Sequence, residues 1–154
     1  MSVVEASVVV NASADDVWAV VADPRNLPRW DHRIGRVVGP PEDGLTPGAR
    51  YETEVHFLGV RSLVPCEVEE VDVGEYARIR LSGLLSATVE TWLHELPGER
   101  THLSHRIEYR FRGGMLGELA AQTVGMLGAS TLLRHGIEAQ KLQIETRFPR
   151  RDQR

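Results

Sequence analysis

A chain of 154 residues with a formal charge of −4, 42% hydrophobic and 26% charged residues has the size and composition of one globular domain with one sizeable core. The acidic balance argues against bulk nucleic-acid binding, which wants a basic face. The one cysteine, Cys66, excludes an internal disulfide and a cysteine-based metal cluster.

The first residues, MSVVEASVVV, carry no basic start, and Glu5 interrupts their apolar run, so no secretory leader is read there. No stretch approaches the ~18–20 apolar residues of a membrane span, and a reducing, cytoplasmic setting is expected. Residues 2–10 alternate and are valine-rich, which predicts a strand. Ser13 followed by Asp15 and Asp16 is first-turn helix chemistry. Val17, Trp18, Val20 and Val21 give that helix an apolar side, and Pro24 ends it. Arg25 to Trp30 is expected to form a second, single-turn piece.

From there to residue 111 the signal is strand and turn. RIGRVVG is a candidate strand, followed by the loop PPEDGLTPG. ARYETEVHFL sets Tyr51, Thr53, Val55 and Phe57 on one face. VRSLVPCEVEEVDV sets Val60, Ser62, Val64, Cys66 and Val68 in one phase, and EYARIRLSG sets Ala77, Ile79 and Leu81 together. RTHLSHRIEYRF places Leu103, His105, Ile107, Tyr109 and Phe111 opposite His102, Ser104, Arg106, Glu108 and Arg110. Such alternation predicts a sheet with one buried and one wet face. Only SATVETWLHEL leaves its facing open, since Val89 and Leu93 compete with Trp92; were Glu90 inward, it would be a candidate acid. Arg61, Arg78, Arg80 and Arg106 are expected on the wet face, pairing with Glu52, Glu54 and Glu67.

After Gly113–Gly114 the period becomes helical. Met115, Leu119, Met126, Leu133, Ile137 and Ile144 form a stripe that could run to about residue 147. Gly125, Gly128 and Gly136 on that helix imply either a kink or close packing, or a low wall beside a ligand. The tail holds Arg147, Arg150, Arg151 and Arg154 and reads as a solvated end. The expected division is one domain over 1–147 and a basic tail over 148–154.

The order is thus strand, two short helices, six strands and one long helix: an α+β fold in which a seven-stranded antiparallel sheet curves under a helix that cannot fill its hollow. Small apolar ligands occupy such space. VNASADDVWAVVADPRNLPRW (10–30), GLTPGARYETEV (44–55), WLHELPGERTHLSHRIEY (92–109) and the terminal helix resemble the START-like, helix-grip (Bet v 1-like) superfamily, most closely its small bacterial polyketide cyclase/dehydrase group. The loop PPEDGLTPG departs from the plant pathogenesis-related branch. The resemblance implies the fold strongly and the chemistry weakly.

No nucleophile elbow, phosphate loop or dinucleotide fingerprint occurs. His102 and His105 point to opposite faces of one strand, so they share no metal; no metal and no cofactor is expected. His105, in the inward phase, is either a proton-transferring group for aldol cyclisation or dehydration or a buried histidine bonded to a neighbouring hydroxyl. Tyr109 and Tyr51 either orient a substrate carbonyl or pack as aromatics. The expected lining is Trp30, Thr53, Val55, Phe57, Ser62, Val64, Cys66, Ile79, Leu81, Thr91, Leu103, Ile107, Met115, Leu119 and Met126.

Two functions stay open. One is a cyclase or dehydratase that shapes a poly-carbonyl chain for ring closure; the other is a carrier, sequestering protein or sensor for a hydrophobic or aromatic molecule. The fold hosts both. A co-chaperone-like interaction domain, with a filled interior and an exposed apolar patch, is a third. A monomer or homodimer without nucleic-acid or membrane partners is expected.

Overall fold

The computed structural model describes residues 2–57, 59–83, 85–111, 122 and 128–150, with only the backbone of Phe57 and Leu85. The elements are β1 (Ser2–Val10), α1 (Ala14–Val21), a 3-10 turn (Pro24–Asn26), α2 (Leu27–Trp30), β2 (Ile34–Val38), β3 (Arg50–Phe57), β4 (Val60–Asp72), β5 (Tyr76–Leu81), β6 (Leu85–Leu96), β7 (Arg100–Phe111) and α3 (Ala129–Arg147). The strands form one seven-stranded sheet in the order β1-β7-β6-β5-β4-β3-β2. Every neighbouring pair is antiparallel. β2 to β7 is therefore a meander of hairpins, and β1 returns to pair with the last strand.

The helices begin where local chemistry starts them. Ser13 Oγ accepts from Asp16 N at 3.3 Å, capping α1, and Asp15 and Asp16 occupy its first turn. Asp23 caps the 3-10 turn by accepting from Arg25 N at 3.1 Å, with Pro24 just inside. The side-chain bond from Arg25, 2.9 Å from Asp23, holds that carboxyl below the usual range. Buried Asn26 joins this brace to its surroundings: its Nδ2 donates to Val20 O at 3.0 Å, and its Oδ1 accepts from Gln143 Nε2 of α3 at 3.1 Å.

Two apolar clusters form on the concave side. The first joins Val10, Val17, Val20, Leu93 and Leu103 to Ile137 and Ile144 of α3. The second gathers Leu45, Tyr51, Cys66, Val68 and Ala77 across β3, β4 and β5. Trp18 packs against both, so α1 is the joint between them. Phe148, just beyond α3, packs on the first cluster with the Arg147 guanidinium 5.3 Å from its ring centroid, and Arg150 donates to the Gly98 carbonyl.

The convex face is a lattice of alternating charge. Glu5, Arg106, Glu90 and Arg78 lie in register across four strands, and Arg106 bridges Glu5, Glu90 and Glu108. Arg80 pairs with Glu67 at 3.0 Å, as expected; Arg78 takes Glu69 and Glu70, and Glu54 takes Arg36. Exposed pairs of this kind contribute about 0–1 kcal/mol each and mainly fix which face stays wet.

The terminal helix departs from the expected single stripe. Gly128 has φ +74° and caps α3 from outside it, so no continuous helix passes through that residue. A left-handed backbone cannot continue a right-handed helix, and glycine is the residue that adopts it at least cost.

Candidate functional site

β6 settles the facing left open by its sequence. Thr91 pairs with His105, Leu93 with Leu103 and Val89 with Ile107, so Val89, Thr91 and Leu93 look inward. Trp92 looks outward, tilted against Tyr76 with ring centroids 5.5 Å apart. Glu90 is also outward and accepts from the Tyr76 hydroxyl at 2.7 Å, so it is no candidate acid for the interior. Burial and then that carboxylate push the Tyr76 hydroxyl up to about 12.

His105 is buried on the concave face. Its Nδ1 lies 2.8 Å from Thr91 Oγ1, and its Nε2 lies 2.7 Å from Gln140 Oε1 of α3. An amide oxygen only accepts, so Nε2 carries the proton and donates to Gln140. Nδ1 then accepts from the Thr91 hydroxyl. Both ring nitrogens are engaged, and burial favours the neutral ring. Burial pushes its pKa below the usual histidine value, and the bond to Gln140 opposes this only in part. The neighbouring hydroxyl anticipated from the sequence is that of Thr91, and the second partner, Gln140, was not anticipated. Its signal was present: Gln140 sits between Ile137 and Ile144 on the helical stripe, and these three are the buried residues of α3.

The concave face has two parts. Around Thr101, Leu103, Leu93 and Val10 it is sealed beneath α1 and α3. Beyond His105, the inward residues Val89, Ile107, Tyr109, Phe111, Ile79, Leu81, Val55 and Ser62 are only half-buried. Their wall is apolar apart from Ser62 and the Tyr109 hydroxyl. Tyr109 stands edge-on to Phe111, with ring centroids 5.9 Å apart, and its hydroxyl has no hydrogen-bond partner among the described residues.

The remaining expected lining residues differ in burial. Tyr51, Thr53, Val64, Cys66 and Leu103 are buried, Tyr51 and Cys66 in the second cluster and Leu103 in the first. Burial, then the Cys66 sulfur beside it, pushes the Tyr51 hydroxyl far above its usual range. Burial also raises Cys66, whose Sγ lies 3.6 Å from Thr53 Oγ1, so the thiol is no nucleophile. Trp30 is half-buried against the first cluster. The Phe57 side chain and Met115, Leu119 and Met126 lie outside the described residues. Among the described residues no group of three or more His, Cys, Asp or Glu side chains gathers as a metal site. His102 faces outward, in an open depression with Glu5, Ser7, Trp92, Ser104 and Arg106.

A curved seven-stranded antiparallel sheet, braced by two short helices and gripped by a terminal helix, is the START-like, Bet v 1-like fold. The chain belongs to the polyketide cyclase / dehydrase and lipid transport family, whose model matches residues 1–135. It is similar in structure to the Zhui aromatase/cyclase from Streptomyces sp. R1128, at 19% identity and a TM-score of 0.71, covering 95% of this chain and 94% of that one. A START superfamily protein from Mycobacterium smegmatis aligns at 18% identity and a TM-score of 0.66, covering 94% and 97%. A protein from Thermus thermophilus aligns at 14% identity and a TM-score of 0.73, covering 96% and 99%. These likenesses establish the fold alone. No curated protein matches the sequence. No described helix is long and apolar enough to cross a membrane.

Proposed function

We propose that the protein binds a hydrophobic, ring-bearing small molecule against the half-buried part of its concave face and holds it by shape. The observation that carries this reading is the contrast within that face. Leu103 is fully buried, yet Ile107, four residues along the same strand in the same phase, keeps part of its surface accessible. Apolar walls with few polar groups suit such ligands, and the family's cyclase and lipid-transport members fit the same use.

The likeness to an aromatase/cyclase supports a finer form of the reading. Here the wall would fold a polyketide-like, poly-carbonyl chain so that one ring closure is favoured over its competitors, which is catalysis by positioning. His105 does not serve as general base in this form, because neither ring nitrogen has a lone pair or proton free for a ligand. The Tyr109 hydroxyl, without a hydrogen-bond partner among the described residues, is the group that would bond a substrate oxygen. The carrier reading needs the same wall and no chemistry.

The test is uptake of naphthalene-class probes by the protein and by Ile107→Trp, which fills the wall. Saturable binding lost in the variant supports the reading; no binding to the unsubstituted protein overturns it. Turnover of a linear poly-carbonyl substrate, reduced in Tyr109→Phe, then separates cyclase from carrier.

A further inference from the structure

Gln140 is 7% exposed, and its carboxamide has two ends in different situations. Oε1 accepts from His105 Nε2 at 2.7 Å. Nε2, with two N–H donors, has no hydrogen-bond partner among the described residues. A sealed and unpaired amide nitrogen would be costly, yet no buried side-chain nitrogen or oxygen among the described residues lacks a partner. The Gln140 NH2 therefore touches accessible space.

The amide itself lies between helix and sheet. Gln140 shares the buried side of α3 with Ile137 and Ile144, and it meets His105, whose cross-strand partner on β1 is the small Ala6. His105 marks the border between the sealed and half-buried parts of the concave face. The hydrogen bonds also run in one direction: the Thr91 hydroxyl donates to His105 Nδ1, His105 Nε2 donates to Gln140 Oε1, and the chain ends in an unused donor. The Gln140 oxygen holds the proton on His105 Nε2, and the Thr91 hydroxyl, which can donate or accept, supplies the donor that this tautomer needs at Nδ1.

We propose that the Gln140 NH2 is a ligand-recognition group that donates to a carbonyl oxygen of the bound molecule, with His105 and Thr91 as positioning residues that hold the amide in its donating orientation. This rests on the proposed hydrophobic-ligand reading and adds the ligand's chemistry: a ketone or related acceptor on an apolar ring system. A ligand offering only a hydroxyl donor would find the wrong end of the amide.

The test compares 2-acetylnaphthalene with 2-ethylnaphthalene, which lacks the oxygen, by equilibrium dialysis. In Gln140→Met the ratio of ketone to hydrocarbon affinity falls roughly three- to tenfold, the worth of one ordinary hydrogen bond, while hydrocarbon binding persists. Thr91→Val lowers the same ratio without changing hydrocarbon affinity, which a merely structural role would not do. Selective 15N labelling of glutamine side chains provides a measurement on the unsubstituted protein: the Gln140 NH2 resonance shifts with the ketone and not with the hydrocarbon. Unchanged ratios with a silent amide resonance overturn the role of Gln140 alone, and so does a preference for 2-naphthol over the ketone. Binding of neither naphthalene overturns the ligand reading itself.

Discussion

Trp30 and Gln143 are joined by a hydrogen bond of 2.6 Å from the indole Nε1 to the side-chain Oε1. Gln143 in turn donates to Asn26, and Asn26 to the Val20 carbonyl, so one polar thread sews α3 to α2, the 3-10 turn and α1. Trp30→Phe keeps most of the ring contact and removes the donor. It is expected to lower stability by about 1 kcal/mol, read as a lower urea midpoint at unchanged slope. Gln143→Ala cuts two links and is expected to cost more. A smaller loss in Gln143→Ala than in Trp30→Phe would contradict the thread.

The buried, neutral His105 makes stability depend on pH in a defined window. Its folded pKa lies below the unfolded value of about 6.5, so the unfolded chain binds the proton first as pH falls. The stability contribution is full above about pH 6.5, declines at up to about 1.4 kcal/mol per pH unit below it, and levels off below the folded pKa. Asp23, Glu54 and Glu145, whose carboxyls are held low, act in a separate and more acidic window. Urea midpoints at pH 7.5 and 5.5 should differ in the protein and converge in His105→Gln. An NMR titration of His105 centred at or above 6.5 would refute this assignment.

Gly128 is expected to resist substitution. Alanine there would hold φ at +74° and place its Cβ 3.3 Å from Thr131 Oγ1. The strain is about 1–2 kcal/mol, seen as a Tm lowered by several degrees. An alanine variant of equal Tm would mean that α3 does not begin where it is placed.

Gly35 makes a gentler case. A Cβ at this position would lie 2.9 Å from both Glu54 Oε1 and His56 Nε2. Both atoms are tips of side chains that swing away easily. Gly35→Ala should therefore keep the fold and disperse the cluster in which Glu54 meets His56 at 3.0 Å and Arg36 at 2.9 Å. The bond from His56, then that from Arg36, holds the Glu54 carboxyl low; in the variant it should titrate nearer the ordinary range by carboxyl NMR. An unchanged titration would show that the cluster tolerates the methyl group.

These features were not equally legible in the sequence. Alternation announced β1, β3, β4, β5 and β7, because charged or polar residues recur in one phase of each, and Ser13 with Asp15 and Asp16 announced α1. β6 stayed ambiguous because it is apolar on both faces: Trp92 finds Tyr76 outside while Leu93 finds Leu103 inside. His105 stood out as a titratable group in an apolar phase, but which protons it holds depends on Gln140, 35 residues away. Gln140 was not singled out, since its polarity masks a position that lies between the buried Ile137 and Ile144 on the stripe. The backbone at Gly128 was invisible because a glycine in a helical stripe looks the same whether it kinks the helix or starts it.

The pairing of β1 with β7 has a consequence for synthesis. Ser2 meets Tyr109 and Val10 meets Thr101, so the first strand leaves the ribosome with no partner. At about 5–20 residues per second, it waits on the order of 5–20 s for the last one. During that interval SVVEASVVV is a naked, valine-rich segment of the kind that recruits like strands from other nascent chains. Glu5 sits near its centre, and a carboxylate there discourages such stacking. When β7 emerges it brings Arg106, which lies opposite Glu5 and pairs with it at 3.3 Å. The guard on the waiting strand thus becomes part of the latch that admits its proper neighbour.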